Sequence, residues 1–329
     1  MLLSIIIPHY NLPKELLKRC IESITALQIA PERYEVIIID DGSATPPRWI
    51  KELFPQENIR LIENEHGCLG AARNTGISAA NGRYIQFVDG DDTLQANNAI
   101  HQCLDQLEKE NPDILRFKFK VRPNKQIPTE KKLCKVSFGS TISGAAYMKQ
   151  KNLSGCVWCY FIKKELLTKK EILFREGCYH EDEEFSTIAH HHAKTLIESD
   201  AQIYNYCIRH DSITGSNKQE TVERRLADHL KAIENLCTFR ANTYIQCNSI
   251  QKKALQRKIT TLTVDHIVRL LHSGKSVSDI RAIIEQKFIP LMLYPIAPGN
   301  YGIKFQIFRL LANHSIGIHI LRLIVPTKH

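Results

Sequence analysis

Strand and helix signals alternate along the first 115 residues of the chain. An apolar, β-branched run at 3–8 is followed by apolar residues at helical spacing between 16 and 27. Further strands are predicted at 34–39, 59–62 and 84–88, and helices at 48–54, 70–80 and 96–110. Alternation at this pace requires crossover connections. It predicts an α/β fold whose central sheet is mostly parallel and flanked by helices.

The pattern changes further along the chain. Strands are predicted at 114–119, 158–162 and 202–208, with a helix beginning near Glu181, and long helical segments follow at 219–246 and 249–273 without strand signals. We therefore expect three parts, 1–115, 116–216 and 217–329, the last being a C-terminal helical extension. Residues 301–325 are apolar with interspersed cations. This pattern fits equally an amphipathic helix on a membrane surface and a helix packed on the protein's own core.

The composition narrows the class of partner. A net charge of +9 and a pI near 9.0 favour an acidic partner: nucleic acid, a nucleotide diphosphate or an anionic membrane. No apolar stretch reaches the roughly 20 residues of a membrane-spanning helix. The ten cysteines have irregular spacing, and the apolar start lacks a preceding basic region. We expect a cytoplasmic protein, with peripheral contact to the inner face of the plasma membrane through its C-terminal region.

Carboxylates follow two of the predicted strands. Asp40 and Asp41 come after the strand at 34–39, and Asp89, Asp91 and Asp92 come after the strand at 84–88. Ligands of parallel sheets bind outside the carboxyl ends of the strands, so both clusters should face one crevice. Taken alone, the second cluster fits equally a polar turn before the next helix and a site for Mg²⁺ or Mn²⁺.

Several motifs occur in a characteristic order. They are SIIIPHYN at 4–11, VIIIDDGS at 36–43, GCLGAARNTGISAANGRYIQFVDGDD at 67–92, HEDEEF at 180–185 and YNYCIRHDSITGS at 204–216. Together they resemble the family 2 glycosyltransferases, which have the GT-A fold. The resemblance extends to about residue 215. It implies that 1–115 is the nucleotide-sugar-binding half of a GT-A domain and 116–216 the acceptor-binding half.

The resemblance also implies roles for donor-site residues. It places Pro8 and Tyr10 against the nucleotide base, and it makes Asp41 the acceptor of a hydrogen bond from the base. Arg73 corresponds to a position near the diphosphate. The resemblance further implies that Asp89 contacts the ribose or sugar and that Asp91 is a ligand of Mn²⁺ or Mg²⁺. Asp92 would support either role. Each has a structural alternative, such as a turn aspartate for Asp41.

Further matches lie in the second part of the chain. The resemblance makes Asp182 the catalytic base and Glu181 the residue that orients donor or acceptor, and a helix N-terminus suits an ionised carboxylate. Four acids at 181–184 would also simply complement the helix dipole. His180 and His210 are candidates for a further metal ligand, and we expect His210 in that role. Arg209 and Ser212 resemble a segment that folds over the diphosphate.

The resulting prediction is a metal-dependent, inverting glycosyltransferase. Its donor would be a nucleotide diphosphate sugar, a UDP-sugar, and its acceptor a hydroxyl of a glycan or lipid-linked oligosaccharide, as in cell-surface polysaccharide synthesis. A nucleotidyltransferase is one alternative, but SIIIPHYN offers no glycine- and lysine-rich phosphate loop. A noncatalytic carbohydrate-binding or nucleic-acid-binding module is another. We expect no nucleic-acid partner, because the clustered carboxylates would repel a phosphate backbone.

Overall fold

The computed structural model describes residues 1–122, 134–208, 218–314 and 316–326. The chain divides into two compact units. The first comprises Met1–Gly144 and Gly155–Ile213, and the second comprises Ala145–Ser154 and Thr214–His329. A ten-residue segment enclosed by the sequence of the first unit is thus part of the second.

The first unit contains a single eight-stranded sheet. Its strands are β1 (Leu3–His9), β2 (Tyr34–Asp41), β3 (Ile59–Asn64), β4 (Tyr84–Phe87), β5 (Thr93–Leu94), β6 (Ile114–Arg122), β7 (Tyr160–Lys163) and β8 (Leu196–Cys207). The spatial order is β3-β2-β1-β4-β7-β6-β8-β5. The pairs β1–β2, β2–β3, β1–β4 and β6–β8 are parallel, while β4–β7, β6–β7 and β5–β8 are antiparallel. The predicted α/β fold is confirmed. Each antiparallel pair includes at least one strand that follows β4 in the chain.

Helices cover the sheet of this unit. They are α1 (Lys14–Thr25), α2 (Ile50–Leu53), α3 (Leu69–Ala79), α4 (Ala99–Glu110), α6 (Lys164–Lys169) and α7 (Glu181–His192), with α5 (Gly144–Gln150) at the point where the chain passes to the second unit. Strands β1 and β2 are buried along nearly their whole length, as expected for parallel strands covered on both faces. Helix α3 lies close to β1 because Gly76 has no side chain where it meets Ile6.

Among the boundaries that differ from the sequence prediction, two have clear local reasons. The helix predicted from residue 96 begins at Ala99, because Thr93 and Leu94 pair with β8 and Asn97 Oδ1 accepts a hydrogen bond from the Ala99 amide. The strand predicted at 202–208 begins already at Leu196, where it pairs with β6.

The second unit is helical in its described part. Its main helices are α8 (Gln219–Thr243), α9 (Ser249–His272), α10 (Val277–Ile283), α11 (Ile303–Ala312) and α12 (Gly317–Ile324), and a π-helical turn (Ile284–Phe288) follows α10. Asn248 and Gln251 form a capping box at the start of α9. Apolar residues such as Ile233, Ile259 and Phe288 are fully buried. Among the described residues, no helix combines the length and apolar character needed to cross a bilayer.

Candidate active site

The carboxyl ends of β1, β2 and β4 meet at one edge of the sheet. β1 and β2 run in register from Leu3 opposite Tyr34 to His9 opposite Asp40, and β1 also pairs in parallel with β4. Tyr10, Asp41 and Asp89 therefore emerge at the same edge. The two acidic clusters predicted from the strand ends occupy this edge together, and α7 brings a third group of acids to it.

Tyr10 and Asp41 are joined through a residue that the sequence patterns did not mark. The exposed ring of Tyr10 stacks on His66, with centroids 4.3 Å apart and planes 16° apart. His66 Nδ1 lies 3.0 Å from Asp41 Oδ2, and the Gly67 amide donates to Asp41 Oδ1 at 3.0 Å. These contacts fix an aromatic surface and a carboxylate side by side.

Gly42 makes this arrangement sterically feasible. Its φ of +72° lies in the left-handed region, and a Cβ at this position would lie 2.6 Å from the backbone nitrogen of His66. Any side chain there would push His66 away from Asp41. The neighbouring Asp40 is 1 % exposed and accepts hydrogen bonds from the hydroxyl and amide of Ser43, so it serves the loop rather than the crevice.

Arg73 is the buried cation of the site. It lies on α3 and is 3 % exposed. Its Nη1 donates to Glu181 Oε1 at 2.7 Å, and its Nη2 donates to Asp89 Oδ1 at 3.1 Å. Burial alone would lower the pKa of Arg73, but the negative charges of Asp89, Glu181 and Asp182 outweigh burial and raise that pKa. The guanidinium therefore stays charged and joins the two halves of the crevice.

The three acids at 89–92 occupy different surroundings. Asp89 and Asp91 are partly exposed, whereas Asp92 is 1 % exposed. Asp92 accepts hydrogen bonds from the Tyr204 hydroxyl at 2.6 Å and the Cys207 amide at 2.7 Å, and that hydroxyl accepts one from the Asp89 amide. Asp92 thus anchors the acidic turn to β8.

Burial and neighbouring negative charges both act against ionisation in this cluster. Burial and the charge of Asp89 raise the pKa of Asp92 to about 8, against the opposing hydrogen bonds from Cys207 and Tyr204. The pKa of the Cys20 thiol on α1 is also raised, first by burial and then by Asp92, Asp91 and Asp89. A cation beside the turn would relieve this repulsion.

Helix α7 presents its acidic N-terminus to the crevice. The first turn carries Glu181, Asp182, Glu183 and Glu184, and the capping residue His180 has a left-handed φ of +63°. Glu181 is 5 % exposed and bound to Arg73, while Asp182 is partly exposed. Gly155 lies directly against this turn, since a Cβ there would lie 3.1 Å from Asp182 Cγ. Of the predicted catalytic pair, Asp182 is less buried than Glu181.

A divalent cation fits the acidic turn as a partly protein-held ion. Among the described residues, no group of three or more His, Cys, Asp and Glu is arranged to hold a metal. Mg²⁺ commonly takes only one or two protein carboxylates and completes its shell with water and substrate phosphates. The partly exposed Asp91, with its repelling neighbours, suits that mode.

The structure brings most of the predicted site residues together. Tyr10, Asp41, Arg73, Asp89, Asp91, Asp92, Glu181 and Asp182 all belong to the first unit and its carboxyl-end crevice, and Pro8 lies two residues before Tyr10 at the end of β1. Arg209, His210 and Ser212 lie outside the described residues. The sequence patterns indicated neither His66 nor Arg19. The Arg19 guanidinium donates to the Asp91 carbonyl at 2.8 Å. Tyr204 lies in the motif at 204–216, but the motif gave no indication of its hydrogen bond to Asp92.

A sheet of this order with an acidic crevice at its carboxyl edge is the architecture of a GT-A glycosyltransferase, and solved structures share the fold. The Staphylococcus aureus protein TarS 1-349, in complex with UDP-GlcNAc, superimposes with a TM-score of 0.56 at 19 % identity, covering 88 % of this chain and 89 % of that one. The mannosyltransferase PcManGT from Pyrobaculum calidifontis, in complex with GDP-Man and Mn²⁺, gives a TM-score of 0.54 at 12 % identity over 98 % and 86 % of the two chains.

Sequence comparison identifies the family. The glycosyl transferase family 2 model matches residues 4–169, just over half of the 329 residues. The uncharacterized glycosyltransferase EpsJ of Bacillus subtilis (strain 168) is 28 % identical over 242 residues, which are 70 % of this chain and 68 % of that protein. The chain belongs to glycosyl transferase family 2, and it is an enzyme of the glycosyltransferase class. The family predicted from the ordered motifs is confirmed.

Proposed function

We propose that this enzyme transfers one sugar, with inversion at the anomeric carbon, from a UDP-sugar to a hydroxyl of a glycan or lipid-linked oligosaccharide. The observation that carries the proposal is the ion-pair bridge at Arg73, whose 2.7 Å and 3.1 Å bonds hold the helix of Asp182 against the turn of Asp89 and Asp91. A donor bound across this bridge would have its diphosphate near the turn and its sugar near α7.

The nucleotide base would bind at Tyr10 and Asp41. Tyr10 is 51 % exposed and already carries the stacked ring of His66, so a flat base has an aromatic surface to stack on. Uracil presents a ring N–H, and a carboxylate is a suitable acceptor for it. The Gly67 amide and His66 already hold the Asp41 carboxylate in place, so Asp41 would need little rearrangement when the base binds. The complexes of TarS with UDP-GlcNAc and UDP support this donor class.

The diphosphate would bind at the acidic turn together with Mn²⁺ or Mg²⁺. Asp91 would be the protein ligand, and His210 remains a predicted second one. When bound, the ion would supply positive charge to the leaving diphosphate. Asp89 would contact the ribose or sugar with the carboxylate oxygen that Arg73 does not engage. The Mn²⁺ and GDP-Man of PcManGT support a metal of this kind.

Arg73 would act mainly through its two carboxylate partners. Both terminal nitrogens of its guanidinium already donate to carboxylates, and the residue is 3 % exposed. A guanidinium has five N–H donors, so these two bonds do not use them all, but so buried a residue offers little access to a bound diphosphate. We therefore propose that Arg73 orients Asp89 and Glu181, while Arg209 and Ser212 remain the predicted diphosphate contacts of the segment that follows β8.

Asp182 would be the general base. Its carboxylate would take the proton of the acceptor hydroxyl while that oxygen attacks the anomeric carbon from the face opposite the diphosphate. A new carbon–oxygen bond forms, the bond from the anomeric carbon to the β-phosphate oxygen breaks, and UDP leaves with the bonding electrons. The position in the first turn of α7 favours the ionised form that accepts the proton. Glu181, fixed by Arg73, would orient the reacting groups.

Release of the nucleoside diphosphate from a panel of nucleotide sugars, with and without Mn²⁺, tests the proposed function. We expect release from at least one UDP-sugar by slow hydrolysis even without acceptor, and faster release with Mn²⁺. GDP- and dTDP-sugars serve as matched alternatives in the same assay. Turnover of only another nucleotide class would overturn the UDP assignment, and release of pyrophosphate from a nucleoside triphosphate would favour a nucleotidyltransferase.

A further inference from the structure

We propose that α11 and α12 form a docking surface for an anionic lipid bilayer. The surface, called here the apolar face, consists of Ile303, Ile307, Leu310, Ile316, Ile320, Leu323 and Ile324. The inference rests on the proposed function in one respect, namely that a lipid-linked acceptor would lie at such a bilayer. Its physical basis is independent of the donor site.

The apolar face is unusually exposed. The exposed fractions reach 80 % for Ile303, 60 % for Leu310, 65 % for Ile316 and 87 % for Leu323. Single exposed apolar side chains are ordinary on protein surfaces, but contiguous groups of them mark interaction sites. Because both α11 and α12 carry several such residues, the exposed group indicates an interaction site and not a single chance exposure.

The exposed residues repeat with the period of a helix. In α11, Ile303, Ile307 and Leu310 are spaced i, i+4 and i+7, so they share one side. In α12, the exposed Ile320, Leu323 and Ile324 are spaced i, i+3 and i+4. A sequence with this pattern normally buries the apolar stripe. Here the stripe faces outward from the second unit.

Other residues hold the two helices in place. Ala312, Ile318 and Leu321 are buried, with exposed fractions of 4 % or less, and Tyr294 donates a hydrogen bond of 2.8 Å to the Ala312 carbonyl. Gly317 lets α12 begin in close contact with the carbonyl of Leu311. These contacts hold the helix pair to its unit, and the apolar face lies outside the buried core of that unit.

The charged side chains of α11 and α12 are all basic. The two helices carry Lys304, Arg309 and Arg322 and no Asp or Glu, while Lys287 in the π-helical turn already lies 3.9 Å from Glu234. Arg309 donates to Gln306 Oε1 and Arg322 to the Leu271 carbonyl, so these two bonds leave the positive charge unneutralised. Basic residues that flank an apolar helix face favour anionic lipid headgroups.

The geometry favours a helix pair lying in the plane of the membrane interface. α11 and α12 have 10 and 8 residues, too few to span a hydrocarbon core that takes about 20. Amphipathic helices of this kind insert their apolar face at the headgroup boundary. A second copy of the chain could also cover the face, but it would bring the same positive charges together, which disfavours that occupant.

Co-sedimentation of the full chain with vesicles tests the proposal. Vesicles of phosphatidylcholine with phosphatidylglycerol are compared with vesicles of phosphatidylcholine alone. We expect binding to the anionic vesicles and at least about tenfold weaker binding for the double variant Leu310→Ser with Leu323→Ser. The matched control is Ile245→Ser, since Ile245 is 95 % exposed between α8 and α9 of the same unit. We expect the control to bind like the unaltered chain.

Two further measurements keep the outcomes distinct. Added salt should weaken binding of the unaltered chain to anionic vesicles, which tests the charge contribution even if the double variant folds poorly. Equal binding to neutral vesicles, or full binding by the folded double variant, would overturn the proposal. So would a dimer that the double variant converts to a monomer without any vesicle binding. Donor hydrolysis is measured without vesicles. Absence of hydrolysis would therefore contradict the proposed function without bearing on membrane binding.

Discussion

Arg73 and Glu181 are 108 residues apart in sequence, and Arg73 Nη1 donates a 2.7 Å hydrogen bond to Glu181 Oε1 inside the first unit. The bond joins α3, which follows the third strand, to the first turn of α7. Both side chains are nearly fully buried. The carboxylate next to the proposed base is therefore fixed by a cation that also holds Asp89 of the acidic turn.

Replacement of Arg73 by Gln should destabilise the first unit substantially. The change leaves Asp89 and Glu181 without their common cation, and loss of one partner of a buried ion pair typically costs about 3–5 kcal/mol. Urea unfolding measures the loss. The control is Arg48→Gln, because Arg48 pairs with Glu63 at an exposed site, where solvent screens the ion pair. Equal losses in the two variants would contradict the buried-bridge interpretation.

Replacement of Tyr10 by Ala should weaken UDP binding without lowering stability. Stacking of a base on an aromatic ring contributes about 1–3 kcal/mol, which corresponds to roughly a tenfold to hundredfold loss of affinity. The ring is 51 % exposed, so its removal leaves the core intact. Isothermal titration calorimetry with UDP gives the affinity, and Tyr10→Phe should bind nearly as the unaltered enzyme does. An unchanged Kd for Tyr10→Ala would exclude the base from this surface.

Replacement of Asp91 by Ala should abolish the gain in UDP affinity that Mn²⁺ provides. The carboxylate is the proposed protein ligand of the ion, and the other ligands come from water and the diphosphate. Titrations with and without Mn²⁺ measure the difference. Asp105→Ala removes an aspartate that is 70 % exposed on α4 and serves as the control. If Mn²⁺ still strengthens binding to Asp91→Ala as much as before, another group holds the ion.

Glu35 should make the stability of the first unit depend on pH in the acid range. Burial alone would raise the pKa of Glu35, but hydrogen bonds from Ser4, Asn81 and Arg60 outweigh burial and lower that pKa. A carboxyl with a lowered pKa stabilises the fold above its unfolded pKa of about 4.3, and this contribution is lost as the pH falls through the folded pKa.

The variant Glu35→Gln measures this contribution. At pH 7 it should be less stable than the unaltered chain, and the difference should shrink as the pH falls from about 5 toward 3. Thermal unfolding across this range is the measurement, with Glu22→Gln as an exposed control on α1. A difference that stays constant across the range would assign the effect of the variant to packing instead of charge.

The sequence was sufficient to predict the α/β fold and the sheet edge at which the acidic clusters lie, but not β5 or the antiparallel pairs. Alternating apolar runs specify strands and helices through the burial of one face, and parallel strands then place Asp41 and Asp89 at a common edge. The partners of Arg73 could not be predicted in this way. No local periodicity encodes a contact between residues 73 and 181, and the same holds for the link between Asp92 and Tyr204.

The region 301–325 shows a different limit. Its periodic apolar residues predict amphipathic helices whether the apolar side faces a core or the surroundings. The choice depends on which residues the rest of the second unit covers, and the structure covers Ile318 and Leu321 while leaving Leu323 exposed. Similarly, the His66 side chain reaches Asp41 only because Gly42, which has no side chain, leaves room for the His66 backbone beside it.

The most direct test of the proposed mechanism is the kcat of Asp182→Asn, measured as transfer from the donor sugar identified in the hydrolysis panel, together with its Kd for UDP. A positioned general base contributes about 10²–10⁴-fold to rate, so kcat should fall by at least about 100-fold while the Kd for UDP stays unchanged. Glu183→Gln, one residue along α7, should retain most of the activity. A kcat for Asp182→Asn within a few-fold of the unaltered enzyme would contradict the assignment of Asp182 as the base.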